Sequence, residues 1–387
     1  MLFKTIASSF YKKYLYNYSR DFSAHYFRGK KLMSTFSLGK LNEVPSDQPD
    51  INHIIENLPF FKDSLSNIKD IKKLDGWSNH NYLVSLSKNN IIKKYVLRVP
   101  GKDSEKHINR NHEEHNTNVV SSNLGICPKN LYFEAKSGIL VRDFLEGNPP
   151  LDEEENISNE NIKKMAVTLN RLHNLKSPFA NNINNLLIIK HYENIIYNLN
   201  GQLSNRYKDL LQELKQLQEI LSHYTLPLSP SHNDPNPRNF LETKDKFMLL
   251  DWEYSGNTDP CWDIAYLSTH SEFDENQNIL LLNEYFGTSV DLFSFYRFNA
   301  YKPATEFILS IWIRMQILGN HYPVPLEELE EWEVLGLDKT EEHISNPLYQ
   351  ESIKFLKENI YKQKSSIREK ISINEMEKLY TPERGSN

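Results

Sequence analysis

Between Ser229 and Asp263 the run SPSHNDPNPRNFLETKDKFMLLDWEYSGNTDPCWD spaces four polar side chains so that the backbone has few ways to arrange them. His232 and Asp234 lie two apart, Asn239 follows Asp234 by five positions, and Asp251 ends the apolar run Phe247-Met248-Leu249-Leu250. Asn239–Glu242 and Lys246–Leu250 read as short strands joined by Thr243-Lys244-Asp245, a hairpin. Such a hairpin returns Asp251 at its exit to the neighbourhood of Asp234 and Asn239 at its entrance. A proline-rich polar turn accounts for a lone His-x-Asp. It does not account for all four residues with an apolar strand leading into the second carboxylate.

These residue types suit phosphoryl transfer, in which a protein positions reactants and neutralises charge more than it makes bonds. The order His-x-Asp-x-x-x-x-Asn followed by a further Asp is that of a kinase catalytic loop and its metal-holding carboxylate. The candidate catalytic set is therefore Asp234, His232 and Asn239. Asp234 would orient an acceptor hydroxyl and take its proton. Asn239 and Asp251 offer the hard oxygen ligands that Mg2+ prefers, with ATP phosphates completing the shell. His232 is expected to prop the loop by hydrogen bonds.

Upstream, residues 66–100 carry strand periodicity around two polar turns, Asp75–Asn81 and Lys88-Asn89-Asn90. Strand, polar turn, strand, strand is the order of a nucleotide lid, and Gly76, Ser78, Asn79 and Asn81 could meet phosphate oxygens. With a single glycine the turn also reads as an ordinary hairpin. Arg98 on the third strand stands where a kinase keeps its phosphate-pairing lysine, and Glu113 and Glu114 on the following polar helix (103–124) are its candidate partners. A strand pair follows, leaving through Asp143–Gly147, a candidate hinge where Phe144 and Leu145 would meet an adenine edge. Pro149-Pro150 and the acidic stretch 152–155 mark a boundary. Beyond it the periodicity is helical, as at Met165–His173 with its apolar spacing of three and four.

The fold expected is α+β and two-lobed, protein-kinase-like, with an antiparallel-sheet N-lobe and a mainly helical C-lobe. Residues 1–40 hold eight Lys or Arg against one acid, Asp21, and are expected to be a basic disordered extension; organelle targeting, membrane-surface contact and a start at Met33 are alternatives. The N-lobe runs over 41–147, the C-lobe over 148–363 with a last helix at 350–363, and 364–387 is a loose tail. The net charge of −6 gives no reason to expect nucleic acid as a partner. Two cysteines, Cys127 and Cys261, form no C-x-x-C pair, which fits a reducing cytoplasm, and no apolar run reaches the length of a transmembrane span.

With these pieces in order the chain resembles the choline/ethanolamine kinases, and within them the bacterial LicA-type branch of the aminoglycoside-phosphotransferase-like superfamily. The likeness rests on Gly76-Trp-Ser-Asn-His-Asn-Tyr-Leu-Val84, Leu124-Gly-Ile-Cys-Pro128, Leu172-His173, His232–Asn239, Leu250-Asp-Trp-Glu-Tyr-Ser-Gly256 and Asp259-Pro-Cys-Trp-Asp-Ile-Ala265, across roughly 66–320. It implies ATP-dependent transfer to the hydroxyl of choline, with Asp234 as base, Asn239 and Asp251 on Mg2+, an Arg98–Glu114 ion pair, and Asp263 steadying the loop. It also implies an aromatic box for the trimethylammonium head, matched by Tyr254 and Trp312 with Glu253 nearby. Cation–π attraction suits a diffuse cation. The chain departs from relatives in having Leu309 where a second tryptophan often stands, and Asp75-Gly76 in place of two glycines. Ethanolamine, thiamine and aminoglycosides remain alternative acceptors, and a catalytically inactive kinase-like binding protein is the rival of another class. Oligomeric state is not legible.

Overall fold

The computed structural model describes residues 49–74, 79–152, 156–319, 325–360 and 370–380. The basic segment 1–40 and the lid residues Gly76 and Ser78 lie outside them.

α1 (Ile51–Asn57), capped by Asp50, precedes β1 (Ile68–Leu74), β2 (Asn79–Lys88) and β3 (Ile91–Pro100). α2 (Arg110–Asn123) leads to β4 (Asn130–Glu134) and β5 (Ile139–Asp143). The five strands form one antiparallel sheet in the order β1-β2-β3-β5-β4. Alternation gives the sheet two faces. Tyr82, Val84, Leu97, Val99 and Val141 bury outward against Ile55, Leu58 and Phe61 of the α1 region. Asn81, Arg98 and Leu140, in register with one another across β2, β3 and β5, point the other way. α2 packs there, and it is an unusual helix. Its buried stripe is Arg110, Glu113, Asn116, Thr117 and Val120, so its sequence reads polar although one face is inside.

β6 (Gly147–Asn148) carries the chain into the helical half. α3 (Asn159–His173), α4 (Asn185–Asn198) and α5 (Asn205–Ser222) precede β7 (Ser229–Ser231), and the expected hairpin is β8 (Phe240–Thr243) with β9 (Phe247–Leu249). Then come β10 (Gly256–Thr258), α6 (Pro260–His270), α7 (Glu275–Phe286), β11 (Ser289–Asp291) and α8 (Leu292–Gly319). α8 is 28 residues long and buried on most sides, because α4, α6 and two later helices, α9 (Leu326–Ser345) and α10 (Pro347–Glu358), all pack on it.

Two boundaries differ from expectation. The last long helix begins at Pro347, which sets its first turn behind the Asn346 cap, and ends at Glu358 rather than 363. Part of the expected loose tail is folded: β12 (Lys370–Ser372) pairs with β11, and α11 (Ile373–Tyr380) packs on α7 with Met376 buried. Three strand residues in a polar stretch leave no periodic signal.

Candidate active site

The site is built where the hairpin meets α6. Asp263, fully buried on the first turn of that helix, accepts the backbone N–H of His232 at 2.7 Å and of Asn233 at 2.8 Å. His173 Nε2 lies 3.1 Å from the same carboxylate and Nδ1 2.7 Å from the Tyr285 hydroxyl. The Trp262 indole N–H donates to Asn233 O at 3.2 Å. This framework holds Asn233 at φ 69, a left-handed conformation that a non-glycine residue keeps only where its surroundings impose it. Asp251 is held in the same region at φ 64. The two left-handed residues turn the chain at the two places where a carboxylate must be presented.

His232 is enclosed as a brace between the loop and the strand after it. It is fully buried, its Nε2 lies 2.8 Å from Leu250 O, its ring meets Trp252 edge-on at 4.7 Å, and burial lowers its pKa so that it stays neutral. It ties the loop to the strand that delivers Asp251.

Asn239 Nδ2 donates to Asp234 O at 2.9 Å, which turns its Oδ1 away. That oxygen and the Asp251 carboxylate receive no hydrogen bond among the described residues. Among those residues no three His, Cys, Asp or Glu side chains converge on a metal position. One carboxylate and one carboxamide are the sparse protein share that Mg2+ accepts when phosphates and water complete its shell. The donor set fits that ion.

Burial pushes the Asp234 carboxyl up to about 7; the nearby Asp251 and Glu253 charges add to this, while hydrogen bonds from Tyr266 and Asn239 oppose it. Burial also pushes Asp251 up to about 7, reinforced by Glu253 and opposed by the guanidinium groups of Arg98 and Arg142.

On the sheet side Arg98 Nη1 pairs with Glu113 Oε1 at 2.5 Å, and Nη2 donates to Gly138 O at 3.3 Å. The partner is thus Glu113 and not Glu114. One helical residue turns the side chain by about 100°, and it is Glu113 that α2 buries. Gly138, at φ 74, is a position where a Cβ would come within 2.6 Å of Pro100 Cγ and 2.9 Å of Arg110 Nε. Asn81 stands directly across from Arg98 on the cleft face. Phe144 N donates to Lys94 O, while the Leu145 backbone makes no hydrogen bond among the described residues and is open to a ligand edge.

Asn79 and Glu253 meet partners that the sequence did not indicate. Glu253, a substrate-side candidate, accepts from Arg110 Nη1 at 3.0 Å and from Asn79 Nδ2 at 2.9 Å. Arg110 also meets Glu113 Oε2 at 2.8 Å. The chain Arg98–Glu113–Arg110–Glu253 is one buried alternating network joining the two lobes. Trp312 is half-buried, packed both against the main core and in the apolar seam of α8 and α9 with Leu309, Ile313, Leu329 and Trp332. The rings that do gather near Asp234 are Tyr254, Tyr192 and Tyr266. Burial raises all three phenols, and each lies close enough to Asp234 for the carboxylate charge to raise it further. Sequence reasoning missed Tyr192, Tyr266 and Arg110. Tyr192 gave no local signal; Tyr266 follows the Asp263-Ile-Ala string by one residue and was within reach.

A family model described as choline/ethanolamine kinase matches residues 69–279, more than half of the chain. The chain belongs to that family. A LicA protein of Haemophilus influenzae is 29% identical over 214 residues, a match covering 55% of this chain and 61% of that relative, so the chain spans less than two thirds of its length. The structure is similar to that of choline kinase LicA from Streptococcus pneumoniae, with a TM-score of 0.60, 24% identity, and coverage of 80% of this chain and 99% of that one. It is also similar to LicA in complex with AMP, with a TM-score of 0.58, 26% identity, and coverage of 76% and 100%. The fold is kinase-like, as the sequence implied. No helix among the described residues is long and apolar enough to cross a membrane.

Proposed function

We propose that the protein transfers the γ-phosphate of ATP to the hydroxyl of choline, giving phosphocholine. The observation that carries the choice of acceptor is the state of the acidic groups beside Asp234. Glu253 is already neutralised by Arg110, so the acceptor pocket offers three phenol rings and few uncompensated carboxylates. A polycationic aminoglycoside needs many carboxylates. A single quaternary ammonium, which cannot donate hydrogen bonds, needs ring faces, each worth about 0.5–2 kcal/mol.

In this reading Asp234 accepts the hydroxyl proton of choline, and Asn239, its Nδ2 3.4 Å from Asp234 Oδ2, helps to hold the carboxylate in place. Asn239 and Asp251 hold Mg2+, which when bound neutralises charge on the phosphates. Arg98, fixed by Glu113, has its Nε–H buried without an acceptor, a donor suited to a phosphate oxygen. The open Leu145 backbone takes the adenine edge, a reading supported by the solved complex of a LicA with AMP. Initial rates of ATP consumption with choline, ethanolamine, thiamine and kanamycin test the proposal. Choline should give the highest kcat/KM, and a preference for kanamycin would remove choline as the acceptor.

A further inference from the structure

Arg98 is not the only guanidinium on the cleft face of the sheet. On β5, Arg142 stands opposite Val96 of β3, and Leu140 stands opposite Arg98. Val141, between them, is buried on the other face with Leu97 and the α1 region. Arg98 and Arg142 therefore share the cleft face as diagonal cross-strand neighbours, roughly 7–8 Å apart at the backbone. Arg142 is also the residue before the hinge.

The two cations differ in their surroundings. Arg98 is bonded to Glu113 and Gly138, and Arg110 to Glu113 and Glu253. Arg142 is half-buried and makes no hydrogen bond or ion pair among the described residues. A guanidinium carries five donors and stays charged at neutral pH, so leaving it partly desolvated without an acceptor is costly. A second orphan stands beside it. Asn130, directly across on β4, has its Nδ2 buried with no acceptor. With Arg98 Nε, three donors on one patch of the cleft face lack acceptors. Across the cleft stands Asp251, whose charge and that of Arg142 favour each other. A metal–nucleotide complex answers both sides, bringing a cation to Asp251 and anionic oxygens to the sheet.

We propose that Arg142 is a nucleotide-positioning residue that, with Asn130 beside it, binds the phosphate chain of the nucleotide from the β5 side of the cleft. This rests on the reading that the protein binds ATP, and it adds a phosphate contact beyond the Arg98–Glu113 pair.

The test is calorimetric titration of the full chain with adenosine, AMP, ADP and ATP, with Mg2+ chelated so that Asp251 holds no metal. In Arg142→Met the dissociation constants of ADP and ATP should rise about tenfold or more, the size of a lost charge-assisted hydrogen bond, while that of adenosine stays within about twofold. Arg142→Lys should restore most of the loss. Equal weakening for adenosine and ATP, or no change for either, overturns the proposal. Thermal unfolding of each variant checks the fold, and should Arg142→Met not fold, Arg142→Gln and Arg142→Lys carry the comparison. Wild-type protein that binds none of the four ligands, with Mg2+ chelated and again with Mg2+ in excess, would end the ATP reading itself and this proposal with it; should binding need Mg2+, the variants are compared in its presence. Loss confined to the variants' failure pattern leaves the ATP reading intact.

Discussion

Arg110 of the sheet half meets Glu253 of the helical half at 3.0 Å, with both side chains almost wholly shielded from solvent. Glu253 lies two residues past Asp251, so this contact couples the placement of α2 to the chain that carries the candidate metal ligand. Breaking a buried pair from one side strands a charge and costs about 3–5 kcal/mol. Arg110→Met should lower stability to urea by that order. Pairing it with Glu253→Gln should recover part of the loss in a double-mutant cycle; strictly additive effects would show that the two groups are not coupled.

Asp234→Asn keeps the shape of the side chain and removes its capacity to take a proton. We expect kcat to fall by two orders of magnitude or more, within the usual range for a lost general base, with nucleotide affinity changed little. Turnover equal to wild type would mean that another group accepts the proton.

The pH dependence has a definite sign. Asp234 must be ionised to act, and its carboxyl is raised to about 7 by burial. The value of kcat/KM should therefore fall as pH drops below about 7, and a plateau extending down to pH 5 would contradict the assignment. Stability runs the other way. The folded protein keeps this proton between about 3.8 and 7 where the unfolded chain releases it, so the contribution of this group is largest at low pH and is lost as pH rises through 7.

Asp263 accepts two backbone N–H groups of the loop. Asp263→Asn retains one good acceptor oxygen and replaces the other by a donor facing a donor. A charge-assisted bond is worth about 1.5–3 kcal/mol, and stability should drop by that order together with kcat. Thermal unfolding and single-turnover rates measure the two effects. A stable variant with normal turnover would show that the loop holds its shape without this carboxylate.

Much of the site was legible because its parts are close in sequence. The hairpin, Asp234, Asn239 and Asp251 fall within a single short segment, and strand alternation gave the sheet. The spacing of Glu113 and Glu114 could not separate them, since the phase of α2 decides which one is buried and polar composition hides that phase. Glu253 was read as substrate-facing because its partner is 143 positions away. Trp312 is placed at the acceptor by the family resemblance alone, because α8 is apolar on so many sides that its sequence does not say which neighbour each ring meets. Tyr192 sits on a helix from a different part of the chain, and only the tertiary fold brings it to Asp234.

β6 bears on how the two halves can move. Gly147 and Asn148 pair with Thr243 and Glu242 of β8, and a Cβ at Gly147 would come within 2.5 Å of Glu242 O. The connecting chain is thereby stitched to the same hairpin that presents the carboxylates. Gaping of the cleft would have to flex Phe144, Leu145 and Glu146, the very backbone proposed to grip the adenine, and part the Arg110–Glu253 pair, so that a seated nucleotide would stiffen a joint on which its own exit depends.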